Sequence, residues 1–526
     1  MRKFLALLTG LVLVLSMLVP TAMAEETYDP DAIIYLSSTA DPTHLDPALA
    51  SDGQSTVVTG LIFSSLIGYN LDGSIYLDVA ESYDVSEDGL TYTFHIRDGI
   101  TFTDGTACDA DAIAWNWNRV IPANATADMT YSQTLFGSVA SFEATDPLTF
   151  VVTLTKKDST FITLQGSNSL AAGLVSPTAY EADPEGFDRN PVGCGPYKLQ
   201  EWVSGQYVSL VRNDDYFGDK AVNGGVVVRI IPEASTAVSE LMVGGIDYLG
   251  DLAADQIDLL ATATNVKVIP TNSTNLSILS FADYEKNTLF ADIRLRQAVC
   301  YALDMTSINK ALFGDAMENA VSAIPTSMQA GADEYSIIGY DPDKAKELMT
   351  EAGYPDGFAF TLLTYNVVKG YNPSGEQLAV QMQAELAKVG ITMNIEILPW
   401  AEFLEKMYAD PVEDYDAILH GWGADYNDTS NILLLFIDDE IGGGLNNSGY
   451  NSPEFNEYYD AAITSSSYEE AGELYHKAAQ LLNDDCPVYI LGHGLGHMGV
   501  GATLLNPEEC LGGWGNHTKD LKKIAQ

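Results

Sequence analysis

The chain has 526 residues, 73 of them acidic and 25 basic, for a formal net charge of −48. Such an excess repels phosphate backbones and anionic bilayers, which argues against nucleic-acid and membrane-surface partners. Hydrophobic residues make up 46% and aromatics 10%, enough apolar material for large cores, and the length favours two or three domains over one.

The predicted elements begin with an export signal. Arg2 and Lys3 precede an apolar run from Phe4 to Val19, and Ala22-Met23-Ala24 is a small-x-small cleavage site ahead of Glu25-Glu26. The run is short for a bilayer span, so residues 1–24 read as a cleaved signal peptide and the mature protein is expected outside the cytoplasm, periplasmic or associated with the cell envelope. No Cys stands near the cleavage site to carry a lipid.

Ala32–Ser37, after Pro30, reads as a buried strand. Thr91–Arg97 alternates between Asp88-Gly89 and Asp98-Gly99, a strand between turns. Leu148–Leu154 and the two runs flanking Ser204-Gly205 read as antiparallel strands, and Val226–Ile231 leads into a helix with Ser235 as the expected cap, ending before Gly244. From about Leu276 the rhythm becomes helix and strand in turn. Asp341-Pro342 opens a helix that Gly353 ends, followed by a strand at Phe358–Thr364, a helix at Glu376–Val389, a strand at Ile391–Leu398, a helix at Trp400–Tyr408 and a strand at Tyr415–His420. Ser467-x-x-Glu470 is a capping box for a helix to about Leu482, and Pro487–Leu491 returns as a strand. Alternation of this kind implies sheets with crossover helices.

Catalytic motifs are not found: the sequence holds no G-x-S-x-G, H-E-x-x-H, Walker A or dinucleotide fingerprint, so no catalytic residue is assigned. His493 and His497 stand four apart, but among glycines, which favours strand or loop over a metal-binding helix. No metal and no cofactor is expected. The five cysteines are an odd number; Cys486 and Cys510 flank a Gly-rich stretch, where a bridge is open.

Ordered motifs run along the chain: Thr43-His-Leu-Asp-Pro47, Leu66-Ile-Gly-Tyr-Asn-Leu-Asp-Gly73, the stretch Ala80–Gly99, Phe102-Thr-Asp-Gly105, Asn190-Pro-Val-Gly-Cys-Gly-Pro-Tyr-Lys198, Arg212-Asn-Asp-Asp-Tyr-Phe217, Asp292-Ile-Arg-Leu-Arg-Gln-Ala298, Asp341–Leu348, Ala352–Phe358 and Gly421-Trp-Gly-Ala-Asp-Tyr426. In this order they resemble the extracytoplasmic solute-binding proteins of peptide-type ABC importers, the oligopeptide- and dipeptide-binding family (family 5). The resemblance implies an α/β, two-lobed periplasmic-binding-protein fold of the large three-subdomain type, with a ligand cleft between lobes. Lobe one is expected at 25–275 with a return at 487–526 and an extra subdomain at about 52–185; lobe two is expected at 276–486.

The same resemblance implies the site. In relatives the segment matching Gly421, Trp422 and Gly423 bonds to the main chain of a peptide, and an acid matching Asp425 holds its α-ammonium; a buried ammonium needs such a counter-charge. Glycines there let an extended peptide approach as an added strand. Thr39, Ala40 and Asp41 match a second backbone-pairing segment, and Tyr365, Asn366 and Trp400 match positions near the cleft. Some relatives place an Arg just before this glycine, where Leu419 and His420 stand here, so a carboxylate anchor is not visible. Arg294 and Arg296 are expected to make structural ion pairs. The expected function is that of a non-enzymatic receptor, expected to be a monomer, that hands small peptides to permease subunits served by a separate ATPase, with no nucleic-acid partner. A same-fold receptor for an oligosaccharide, an opine-like compound or a metal chelate is the alternative, and a secreted hydrolase a third.

Overall fold

The computed structural model describes residues 27–525 except 127, 130, 167–171, 251, 253, 272–273, 285, 329–336, 367–368, 373–374, 410–413, 425, 442–444, 466–467 and 516. The segment 1–24, Asp425 and Ser467 lie outside the described residues.

The strand Ile33–Ser38 buries Ile34 and Leu36 and lies at the centre of a seven-stranded sheet. It runs parallel to Gly225–Ile230 on one side and to Tyr248–Leu249 on the other. The hairpin Tyr197–Val203 and Tyr207–Arg212 extends one edge, and His497–Gly501 with Val266–Pro270 closes the other. The helix Ala234–Val243 ends at Gly244 in the left-handed conformation, as its sequence predicts, but Glu233 rather than Ser235 occupies the cap position and makes no side-chain capping bond.

A second sheet has six strands, in the order Met317–Glu318, Val488–Gly494, Asn275–Phe281, Ala417–Gly423, Ala359–Tyr365 and Thr392–Leu398. The helix Pro342–Glu351 starts where Asp341 accepts a hydrogen bond from the Lys344 amide, with Pro342 at its first position. A third unit is a four-stranded antiparallel sheet of Ala80–Val85, Thr91–Ile96, Thr149–Leu154 and Val139–Asp146, with a core around Phe94, Trp117 and Phe150.

Two expected boundaries shift. Val488–Gly494 pairs antiparallel with Asn275–Phe281, so it completes the second sheet; the chain rejoins the first sheet at His497, not at residue 487. The reason is hydrogen bonding: a strand buried on both faces must satisfy its backbone in the sheet it enters. The helix Gly53–Ile62 packs Val58, Leu61 and Ile62 into the core of the first sheet, so the four-stranded unit begins after it rather than near residue 52. The chain thus passes between the two large sheets twice, after Pro270 and after Gly494, and the Thr271 amide donates to the Gly496 carbonyl at 2.8 Å.

Charged side chains fasten these units. Arg119 forms a bidentate pair with Asp46 at 2.6 and 2.9 Å, both nearly buried. Arg294 pairs with Asp292 at 2.6 Å, as expected. Arg296 instead donates to the carbonyls of Phe290, Asp485 and Cys486 and lies over the Tyr284 ring, because it is buried among backbone ends rather than acids.

Candidate ligand-binding site

The strand Ala417–Gly423 runs three residues beyond its expected end, so Gly421, Trp422 and Gly423 are inside it rather than after it. Their partners on one side are Ser277, Leu276 and Asn275. On the other side the parallel ladder with Ala359–Tyr365 covers only Ala417 and Ile418. Beyond Ile418 this ladder stops; Leu419 and His420 remain buried, Gly421 and Trp422 are half-buried and Gly423 is exposed, so the strand reaches the surface with an edge at its last residues, where strand addition could take place.

The two glycines there differ. A Cβ on Gly421 would lie 2.3 Å from Tyr371 Cδ2 and 2.4 Å from the Leu276 carbonyl oxygen, so this glycine makes room for the protein's own packing. A Cβ on Gly423 would meet nothing nearer than Asn275 Cβ at 4.0 Å, so its surroundings are open. Trp422 is half-buried and its indole N–H donates to Asn431 Oδ1 at 3.1 Å, which fixes the ring. Beyond the strand, Ala424 N donates to Thr274 O at 2.9 Å, Tyr426 is buried in the core of the four-stranded unit, and Asn427 Nδ2 donates to the Gly73 carbonyl at 2.9 Å. Asp428 is committed: it is buried, it accepts from the Ser430 amide at 2.8 Å and from the Tyr475 hydroxyl at 3.0 Å, and burial raises its carboxyl. Asp425 lies outside the described residues, between these anchored neighbours.

Next to the strand end stand the other matched positions. Tyr365 is fully buried, edge-on to Trp400 with ring centroids 5.1 Å apart, and burial pushes its phenol up. Asn366 is exposed at the strand end, and its amide donates to Leu398 O at 3.3 Å. Trp400 opens the helix Trp400–Met407 and stacks on Phe403.

Over the Trp400 ring, 3.7 Å from its centroid, lies the ammonium of Lys369, a residue that sequence reasoning missed. Burial alone lowers its pKa, with no acid acting on it among the described residues. In a chain with 73 acids this is a cation held by an aromatic ring, with no acidic partner among the described residues. The signal in the sequence was a lone Lys in the turn after a predicted strand, with no pattern to mark it. His420 does not fill that role: it is buried, with Nε2 2.7 Å from Ser280 Oγ.

On the first sheet, Thr39 and Ala40 follow the central strand as exposed residues. Ser38, Thr39, Gln54, Val57, Tyr248 and Gly250 line a cavity of about 240 Å³ beyond the end of that strand. An open α/β sheet offers its ligand crevice at such a strand end. Asp41 faces away from this role. Its carboxylate accepts from Trp202 Nε1 at 3.1 Å, Ser204 Oγ at 3.0 Å and Gly205 N at 2.5 Å, and so pins the hairpin Tyr197–Arg212. Burial would raise this carboxyl, but the three donors outweigh it and hold it below the usual range. A second cavity, about 360 Å³, is lined by Tyr69, Tyr76, Tyr216 and Trp514 together with Asp78, whose carboxyl burial pushes up to about 6.

Residues 74–443 match the family described as bacterial extracellular solute-binding proteins, family 5 Middle. The chain is 27% identical over 486 residues to heme-binding protein A of Haemophilus influenzae, covering 89% of this chain and 88% of that protein. It is 28% identical over 517 residues to oligopeptide-binding protein AppA of Bacillus subtilis, covering 94% and 91%. The periplasmic binding protein DppA of Helicobacter pylori in complex with the peptide STSA superposes with a TM-score of 0.76 at 26% identity, covering 94% of this chain and 98% of that one. HbpA2 of Haemophilus parasuis superposes with a TM-score of 0.84 at 22% identity, covering 94% and 100%. The fold is the two-lobed α/β architecture of these binding proteins, and the chain belongs to the bacterial extracellular solute-binding proteins of family 5.

Proposed function

We propose that this protein is the extracytoplasmic receptor of an ABC importer and that it captures peptides with free termini between its two large sheets. The observation that carries this reading is the strand edge that reaches the surface at Trp422 and Gly423, together with Lys369, a cation over the Trp400 ring on which no acid acts among the described residues. The edge supports main-chain pairing with any extended peptide. Lys369 supplies charge for a terminal carboxylate, and Asp425, two residues past the strand, supplies it for the α-ammonium. Relatives named for dipeptides, oligopeptides and glutathione agree with a peptide-like ligand. One relative is named for heme, which keeps a non-peptide ligand as the competing reading.

Thr39 and Ala40 would face the ligand from the first sheet, with Gly423, Asn366 and the Trp400 ring opposite; Asp41 and Tyr365 would hold the walls in place. Closure of the lobes follows because a ligand touching both walls favours the closed population. The closed form is then the one a permease, powered by a separate ATPase, would recognise. Among the described residues no helix is long and apolar enough to cross a membrane, which accords with a receptor working beside its permease.

The test is a thermal-shift and calorimetric panel of a free peptide, its N-acetylated and C-amidated forms, heme and a neutral oligosaccharide. A free peptide should bind best. Losing a charge-assisted contact costs about 1.5–3 kcal/mol, so acetylation or amidation should each weaken binding by roughly 10–100-fold. Asp425→Ala should abolish the discrimination against acetylation, and Lys369→Gln that against amidation. Shifts with heme or the sugar alone would overturn the reading.

A further inference from the structure

Cysteines that are scattered in the sequence meet in the fold. Cys108 and Cys194, 86 residues apart, place their sulfurs 3.8 Å from one another inside the core of the four-stranded unit. Cys300 and Cys486, 186 residues apart, place theirs 3.6 Å from one another in the core of the second sheet. All four side chains are buried and none is bonded to another in this structure. Cys510 stands apart in the core of the first sheet, with Asn506 Nδ2 3.4 Å from its sulfur. The bridge that the sequence left open between Cys486 and Cys510 is therefore excluded by placement in two different cores.

Buried cysteines often serve as small apolar fillers. Filling a core does not, however, bring four of five cysteines into two sulfur–sulfur contacts across such spans. We propose that the exported protein carries two intrachain disulfides, Cys108–Cys194 and Cys300–Cys486, and a single free thiol at Cys510. A disulfide bond is about 2 Å long, so each sulfur needs to move by less than about 1 Å. The backbone at Cys486 is fixed independently of its sulfur: it is left-handed, with φ of 50°, and Arg296 Nε donates to its carbonyl at 2.8 Å.

In each step two thiols lose two protons and two electrons. The oxidant is a disulfide of another molecule, on a thiol oxidoreductase or a small thiol compound. One thiolate attacks it to give a mixed disulfide, the second cysteine displaces the carrier's sulfur, and the carrier leaves as two thiols. The neighbouring thiol together with burial raises Cys108, and burial together with the neighbouring thiol raises Cys300, so the reactive thiolates are scarce once the cores have closed. Oxidation thus belongs to folding, before the cores seal. Each bond would lie within one core, and neither would span the crossings after Pro270 and after Gly494, so both leave the lobes free to move.

The test is refolding of the reduced full chain in a mixture of reduced and oxidised glutathione, then alkylation in denaturant without reductant and peptide mapping. The expected map links Cys108 to Cys194 and Cys300 to Cys486 and finds Cys510 alkylated, with the intact mass lower by two hydrogens per bond. A Cys108→Ala/Cys194→Ala variant should still form the Cys300–Cys486 link. Five alkylated cysteines in the refolded wild-type chain, or any link through Cys510, would overturn the proposal.

Discussion

The His420 imidazole is buried against Ser280, and burial lowers its pKa from 6.5 to about 4. The unfolded chain therefore binds the proton more readily than the folded one. Stability is intact above pH 6.5 and is lost as the pH falls from 6.5 to about 4, by on the order of 3 kcal/mol in all. Asp78 acts in the opposite sense: its folded pKa, about 6, lies above 3.8, so it withholds stability at neutral pH and returns it as the pH falls through that window. His420→Gln isolates the first effect. The stability of the wild-type protein relative to this variant, from urea denaturation, should fall steadily between pH 7 and pH 4; a constant difference would refute the assignment. Residue types announced little of this. Asp41 and Tyr365 match cleft positions by sequence, yet three hydrogen-bond donors claim one and an aromatic cluster claims the other. Lys369 went unseen because its meaning lies in the ring beneath it, which comes from a separate helix.

Elements were far more legible, since their signals are local. The Asp341-Pro342 cap, Gly244 and the alternation of Thr91–Ile96 all act within a few residues, and the structure shows each in place. The end of Ala417–Gly423 was harder to read: the strand was expected to stop at His420, while pairing with Asn275–Ser277 keeps Gly421, Trp422 and Gly423 in it. The Asp52 cap was not singled out at all. Its side chain accepts from the Ser55 amide at 2.8 Å and the Ser55 hydroxyl at 2.6 Å, and also from Thr43. It starts the helix Gly53–Ile62, whose Gln54 and Val57 line the Thr39 cavity. Asp52→Ala should cost about 1–2 kcal/mol, read from chemical denaturation. It should also weaken ligand binding by loosening that wall. An unchanged midpoint would show that the cap carries no load.

At the scale of the molecule the charge of −48 sets the behaviour. Like charges over the surface repel one another and oppose the compact state, and salt screens them within about 8–10 Å at physiological ionic strength. The melting temperature should therefore rise from low salt to about 0.5 M sodium chloride, where screening is shorter still. A flat response would mean that local pairs already balance the field. Buried pairs such as Arg119–Asp46 and Lys523–Asp247, at 2.6 and 2.8 Å, are shielded and should contribute little to this dependence.

The sequence by itself determined the class of chain, many of its strands and helices and, through its ordered motifs, the family, because turns, caps and periodicity act over a few residues and need no partner. The tertiary structure alone decided where Val488–Gly494 belongs, which cysteines meet, and which of Asp41, Tyr365, His420 and Lys369 are committed to the protein's own packing. Those outcomes depend on contacts between residues far apart in the chain, where burial and the choice of hydrogen-bond partner, rather than residue type, fix what a side chain can do.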